Sequence, residues 1–232
     1  MYKYTILLSL SLITILNANA QADSITTKKE KLFDHSIGIQ VNDLIRQVFN
    51  FNNTSTNTNT NPFLLTYTIN TTKTGWGIRI GTGYNYNSAT TNDGINKKTT
   101  DINDLQLRLG IEKSFKLAGN WSAGAGIDGV YNTNNDNTKA LTISFDTITV
   151  NTKTVLSTYG GGAMAWLRYN FTKNILIGTE ANFYYLTGYQ TITTTTKYSS
   201  SPTYNPTPDK NDNKISNGTI SLPIVFYAIV KF

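Results

Sequence analysis

Cysteine is absent from this 232-residue sequence, and histidine occurs once. The first absence excludes disulfide scaffolds, thiol nucleophiles, thiolate zinc sites and iron–sulfur clusters. The second removes any histidine-rich metal site and argues against a Ser-His-Asp enzyme. Charge is scarce as well, at 15% of residues against roughly 25% in an average soluble domain. Only four residues are arginine: Arg46, Arg79, Arg108 and Arg168. Beyond Ala20 no apolar run approaches the roughly 18 residues that a membrane-spanning helix needs. Thr and Asn fill the space, making up roughly a quarter of the chain.

The N-terminus opens Met1-Tyr2-Lys3, continues with an apolar stretch to Leu16 and closes Asn17-Ala18-Asn19-Ala20. One positive charge, about a dozen apolar residues and an Ala-x-Ala end are the parts of a secretory signal peptide. Residues 1–20 are therefore expected to direct export. Without a cysteine after the cleavage site there is no lipoprotein anchor. Residues 21–34, polar and aperiodic, are expected to form a periplasmic strap ahead of a single domain over 35–232.

Within that domain the dominant signal is alternation with a period of two, the mark of β-strands. Trp76, Ile78, Ile80, Tyr84 and Tyr86 alternate with Gly77, Arg79, Gly81, Gly83 and Asn85. The same holds for Leu105 to Ile111, for Trp121 to Tyr131, for Tyr159 to Phe171 and for Ile175 to Tyr185. Ile220, Leu222, Ile224, Phe226, Ala228, Val230 and Phe232 share one face of the last segment. With 37–49 and 63–70 this makes eight strands. Three connections are short (71–75, 118–120 and 172–174), and four are long and polar (50–62, 88–100, 133–156 and 191–216). Alternation of short turns with long loops is the pattern of an outer-membrane β-barrel, short turns in the periplasm and long loops outside.

The aromatics support the same architecture. Trp76 to Tyr84 or Tyr86, Trp121 to Tyr131, and Tyr159 to Tyr169 and Phe171 are spaced by roughly eight to twelve residues on the outward face. At about 3.3 Å per residue and a tilt near 40° the main spacing spans roughly 20–25 Å, the separation of two aromatic girdles. Residues 140–150 also alternate and could be a ninth membrane strand, which would reverse every later connection and leave the C-terminus outside. They are expected to form a hairpin, turning at Asn151-Thr152-Lys153, that extends strands five and six beyond the membrane. Its protruding edge, over 140–156, would be a docking site for an extracellular protein partner.

The C-terminal Phe226-Tyr227-Ala228-Ile229-Val230-Lys231-Phe232 resembles the assembly signal read by the outer-membrane insertion machinery, carried by Phe226, Ala228, Val230 and Phe232. The pieces Asn61-Pro62-Phe63-Leu64-Leu65-Thr66-Tyr67, Gly75-Trp76-Gly77 and Gly178-Thr179-Glu180-Ala181 resemble the outer-membrane β-barrel proteins of Bacteroidetes. The architecture is similar to the small eight-stranded OmpA/OmpX-like barrels. The resemblance covers the chain from about residue 35 and implies an all-β, eight-stranded antiparallel transmembrane barrel. It implies a C-terminus in the periplasm, the barrel-assembly machinery and outer-membrane lipid as partners, and no particular activity.

An eight-stranded barrel is just wide enough for side chains to fill. Arg79, Arg108 and Arg168 fall on inward positions by phase, as do Glu112, Asp128, Glu180 and Lys231. Diagonal neighbours on paired strands lie about 7–8 Å apart, within an arginine's reach. Three interior pairs follow: Arg79–Glu112, Arg108–Asp128 and Arg168–Glu180. Plugging a narrow lumen and fixing register is the expected role of such forks.

Sites of other kinds are thin. His35 stands beside Ser36 at the start of strand one, with no rim histidine for catalysis, so no enzyme activity is expected. Asp209-Lys210-Asn211-Asp212-Asn213 begins like a calcium loop but has Lys214 in the place of the required Gly and Ile220 in the place of the terminal Glu. It is expected to be a polar loop tip, and no metal or cofactor is anticipated. Asn52-Asn53-Thr54-Ser55 carries glycosylation triplets. Asp146-Thr147-Ile148 and Asp23-Ser24-Ile25 look like the Asp-Ser/Thr-aliphatic O-glycosylation pattern of Bacteroidetes. The net charge of +6 lacks the aromatic interleaving of a nucleic-acid surface. Lys73, Lys113, Lys116, Lys173 and Lys231 collect at the periplasmic ends instead. The expectation is a non-enzymatic outer-membrane barrel for surface interaction or adhesion, with a narrow solute channel as the alternative.

Overall fold

The structure is a computed structural model that describes residues 31–41, 64–143, 147–200, 206–221 and 226–232. The chain divides into two compact units, Met1–Lys31 and Leu32–Phe232. The expected signal peptide, nearly all of the strap, Arg46, Leu222, Ile224 and the triplets at 52–55 lie outside the described residues. The rest of this description concerns the second unit.

Nine antiparallel strands are formed: β1 (Phe33–Gln40), β2 (Leu65–Thr71), β3 (Trp76–Asn92), β4 (Asn96–Lys116), β5 (Trp121–Ile143), β6 (Thr147–Asn170), β7 (Ile175–Tyr198), β8 (Asp209–Ser221) and β9 (Phe226–Lys231). Consecutive strands pair from β1 to β7, β9 pairs with both β7 and β1, and the sheet closes in a ring. β8 and β9 lie along the same neighbour, β7, and share the eighth position. Ser221 pairs with Asn182 and Phe226 with Thr179. The register therefore shifts by two residues, an even number that keeps Ile220, Phe226 and Ala228 in one phase. β1 begins two residues inside the expected strap.

At one end the turns are tight. Gly75 and Gly119 adopt φ of 71° and 64°, a left-handed conformation that costs glycine little. Thr71 Oγ1 accepts or donates at 2.5 Å from Thr74 Oγ1, and Ser114 N–H donates to Gly75 O at 2.8 Å. At the other end the expectation of long loops is corrected. Residues 88–100, 133–156 and 191–216 are largely strand, and β6 and β7 each run 24 residues, about 80 Å of extended chain. Only 93–95 separate β3 from β4. Apart from 140–150, whose alternation is visible, these polar stretches lack a hydrophobic face, so alternation cannot reveal them. Cross-strand side-chain bonds hold them, such as Thr90 with Thr99 and Thr100 with Thr138, both at 3.1 Å, the kind of pair that stabilises a ladder.

The extension of strands five and six over 140–150 is present, with Ala140 opposite Val150 and Ile143 opposite Thr147. The expected turn at Asn151, Thr152 and Lys153 is not found there: these residues lie within β6. Both edges of this hairpin are occupied: β5 pairs with β4 up to Thr142, and β6 pairs with β7 from Ile148 onward. A free edge for strand addition is therefore not found at 140–156. Residues Gly83–Asn92 of β3 pair with β4 alone among the described residues.

The two faces of the ring differ sharply. Reading across paired strands, Ile69, Ile78, Ile111, Ile127, Ala163, Phe183 and Ile220 form one continuous outward row. The adjacent inward row is Thr68, Arg79, Gly110, Asp128, Gly162, Tyr184 and Thr219. Leu109 and Ile127 are each 60% exposed, whereas Arg79 and Glu112 are the largest fully buried side chains, at 2% and 0%.

Candidate functional site

The interior of the ring is the one place where ionisable groups converge. Arg79 projects from β3, Arg108 and Glu112 from β4, Asp128 from β5, Arg168 from β6 and Glu180 from β7, all on the inward phase. Burying charges costs several kcal/mol per ion unless partners and hydrogen bonds surround them. Here they do. Glu180 receives Arg79 Nη2 at 2.7 Å on one oxygen, and the Arg108 guanidinium closes on both of its oxygens, Nη2 reaching Oε2 at 3.3 Å. Asn182 Nδ2 adds a contact at 3.4 Å. Glu112 accepts from Asn70 Nδ2 at 2.9 Å and from the Trp166 indole N–H at 3.0 Å. Asp128 accepts from the Tyr184 hydroxyl at 2.6 Å. Arg79 Nε faces Asp128 Oδ1 at 3.4 Å as a charge contact without an aligned hydrogen bond.

The local sequence makes room for these large groups. Two of the largest lie over a glycine on a neighbouring strand: Arg108 is opposite Gly81 and Trp166 is opposite Gly124. A Cβ on Gly81 would come within 2.8 Å of Arg108 Cγ, and one on Gly124 would run into the Trp166 ring. Small beside large is how a narrow interior is filled without voids.

The expected strand registers hold: Arg108 is opposite Val130 and Arg168 opposite Gly178. The expected partners change. Arg79 does approach Glu112, at 3.8 Å, but its nearest carboxylate is Glu180. Arg108 pairs with Glu180, not with Asp128, whose partners are Arg79 and Tyr184. Arg168 does not pair with Glu180; its guanidinium lies 3.9 Å over the Trp166 ring. The diagonal rule considers adjacent strands only. In a ring this small, long side chains cross the interior and meet carboxylates from non-adjacent strands. Lys231 binds Asp34 at 2.7 Å, nearer the tight turns. Trp166, Tyr184, Asn70 and Met164 were not anticipated, although the inward phase of Arg168 and Glu180, continued by two or four residues, selects Trp166, Met164 and Tyr184.

The outward aromatics take two levels. Trp121 is opposite Tyr169, with ring centroids 4.9 Å apart, and Tyr169 meets Phe171 at 5.2 Å. Trp76 carries the Lys113 ammonium 5.4 Å over its ring. Ten residues along β5, Tyr131 is opposite Tyr159, and Tyr84 and Tyr86 stand exposed on β3. At the closure Phe232 stacks on His35 at 5.8 Å, and His35 Nδ1 bonds Tyr67 Oη at 2.8 Å. Ser36 faces the other way and bonds Thr68 Oγ1 at 2.5 Å. His35 and Ser36 therefore form no dyad.

The expected loop tip at 209–213 is instead the start of β8, opposite Gln190–Thr194. Thr191 Oγ1 and Lys210 Nζ both donate to Asp212, and the Thr191 bond foremost holds that carboxyl below its ordinary range. Thr147 opens β6 at the far end of the arms, its N–H donating to Ser199 Oγ at 3.0 Å. Among the described residues no group of three or more His, Asp or Glu side chains could hold a metal ion. Among the described residues no helix is long and apolar enough to cross a membrane. No family model, curated protein or solved structure matches the chain.

Proposed function

We propose that the ring is an eight-stranded outer-membrane β-barrel without enzymatic activity, whose polar hairpin arms reach outside the cell for surface interaction or adhesion. The carrying observation is the inverted distribution of polarity. An unbroken apolar row, Ile69 to Ile220, faces outward, with its Ile78, Ile111, Ile127, Phe183 and Ile220 side chains between 49% and 60% exposed. The buried interior holds Arg and Glu. Soluble monomers rarely expose apolar patches above a few hundred Å², whereas apolar-out, polar-in alternation suits a lipid-facing belt. The two aromatic levels give that belt its edges.

The arms beyond Tyr131 and Tyr159 are rich in Thr and Asn and carry about a dozen further residues per strand, roughly 40 Å along the chain. Polar strands of that length have no role inside lipid. They supply a broad hydrophilic face, which favours display over conduction. The ring's middle is filled by Arg79, Arg108, Glu112, Glu180 and Trp166, all buried, which disfavours the solute-channel alternative. Under this reading the short turns and the C-terminus face the periplasm.

Planar-bilayer recording on refolded protein tests the choice. A plugged barrel gives no steady conductance, and opening the plug with Trp166→Ala and Arg79→Ala together raises it. Steady channels from the unaltered chain would contradict the display reading in favour of transport.

A further inference from the structure

At the tight-turn end the ring contains a cavity of about 740 Å³. Its lining includes Trp166, Arg168 and Leu176 deep inside, with Lys73, Lys113, Lys116 and Lys231 towards the turns. Asp34 is the lone carboxylate among the lining residues, and Lys231 already holds it at 2.7 Å. The cavity is therefore a cation-rich chamber, distinct from the cluster of Arg79, Arg108, Glu112, Asp128 and Glu180 beyond it.

Within it three donors fall in one row. Lys116 on β4 is opposite Ser122 on β5, and Ser122 is opposite Arg168 on β6. All three share the inward phase and line the cavity. With strands about 4.8 Å apart, the two cations flank the hydroxyl at a backbone separation of roughly 10 Å. Arg168 is half-buried, one face covered by the Trp166 ring at 3.9 Å. Among the described residues no carboxylate lies within 4 Å of it, and no side chain or carbonyl accepts from its guanidinium. The indole that covers it donates to Glu112 on its other side. A guanidinium offers five N–H donors in a planar fork, and stacking on an aromatic fixes the plane of that fork.

We propose that this chamber binds a phosphate group, with Arg168 as the fork, Ser122 as a neutral donor and Lys116 as the second cation. Tetrahedral oxyanions match such a set, because the fork takes two oxygens and the ammonium a third. The site is inside the ring and does not depend on what covers the outer face. The phosphate could be carried by a free anion or by a lipid headgroup, and the two share this chemistry.

The full chain, refolded in phosphate-free maltoside micelles, would be titrated with inorganic phosphate and, separately, with a short-chain phosphatidylglycerol. The Trp166 indole N–H and the Arg168 Nε–H NMR signals report occupancy. Saturable shifts of both signals are expected with at least one probe. Free phosphate acting alone identifies a soluble ligand, and phosphatidylglycerol acting alone a headgroup. Arg168→Gln should weaken binding by about tenfold or more, as loss of a charge-assisted contact does. Lys116→Gln should weaken it less, and Lys173→Gln, which does not line the cavity, should leave it unchanged. If Arg168→Gln fails to refold, Arg168→Lys keeps the charge without the fork and should still bind more weakly. Absence of saturable shifts with both probes, or equal affinity in the Arg168 and Lys116 variants, would overturn the proposal.

Discussion

Replacing Glu180 with Gln changes one oxygen to an amide and leaves the shape of the interior intact, so its cost isolates the charge. Glu180 is the carboxylate shared by Arg79 and Arg108. After the change Arg79 keeps Asp128 at 3.4 Å and Glu112 at 3.8 Å, whereas Arg108, 2% exposed, loses its carboxylate. Leaving one buried cation uncompensated costs about 3–5 kcal/mol. That is a large part of the roughly 5–15 kcal/mol that holds a typical domain folded. The comparison variant, Asp212→Asn, breaks an exposed contact with Lys210 and should leave stability unchanged within error. Adding Arg108→Met to Glu180→Gln removes the orphaned cation and should recover more than about 1 kcal/mol, the size expected of coupled neighbours. Urea unfolding of refolded protein, followed by tryptophan fluorescence and heat-modifiable gel mobility, reads all three. A loss below about 1 kcal/mol for Glu180→Gln, or no recovery in the double variant, would refute the network as drawn.

Other expectations follow from the same geometry. Trp166→Phe keeps the ring volume but strips the indole donor from Glu112, and should cost about 1–3 kcal/mol in the same unfolding assay. Gly124→Val should prevent refolding, because its Cβ would occupy the Trp166 ring; a heat-modifiable band of normal intensity would disprove that packing. The Asp93 carboxyl is held below its ordinary range, first by the Asn96 N–H and also by the Asn96 side chain and the Ile95 N–H. A lowered value in the folded state means its contribution is complete above the unfolded value near 4 and is lost as pH falls through the folded one. The Ile95 and Asn96 amide signals should therefore hold steady from neutrality to about pH 4 and move only below it. Phe232→Ala should weaken the closure between β1 and β9, where Phe232 stacks on His35 and exchanges backbone bonds with it. Slower refolding, with unchanged spectra once folded, is the expected reading.

Much of the ring could be read from alternation, and the places where it could not share a physical cause. Where one face is apolar, as from Trp121 to Tyr131 or Tyr159 to Phe171, period two sets both the strand and its phase. Short turns then fix the register, which is why Arg168 opposite Gly178 and Arg108 opposite Val130 follow from spacing alone. Apart from 140–150, the arms carry Thr and Asn on both faces, so 88–100 and 133–139 have no hydrophobic period to betray that they are strand. The arginine partners failed for a different reason. Arg108 meets Glu180 from a strand three positions away around the ring, and no pairwise rule along neighbouring strands encodes a contact across an interior. The glycines did hold a usable signal: Gly81 and Gly124 stand opposite Arg108 and Trp166, marking where bulk fits.

The central claim is that the outward apolar row faces lipid. The absence of native cysteine allows single spin labels at Ile80→Cys, Leu109→Cys and Ile127→Cys on the belt, and at Thr90→Cys and Thr138→Cys on the arms. In reconstituted vesicles the belt labels should be open to dissolved oxygen and shielded from a water-soluble nickel relaxant, while the arm labels show the reverse. Belt labels accessible to the nickel reagent in protein that remains folded and soluble without lipid would contradict the account.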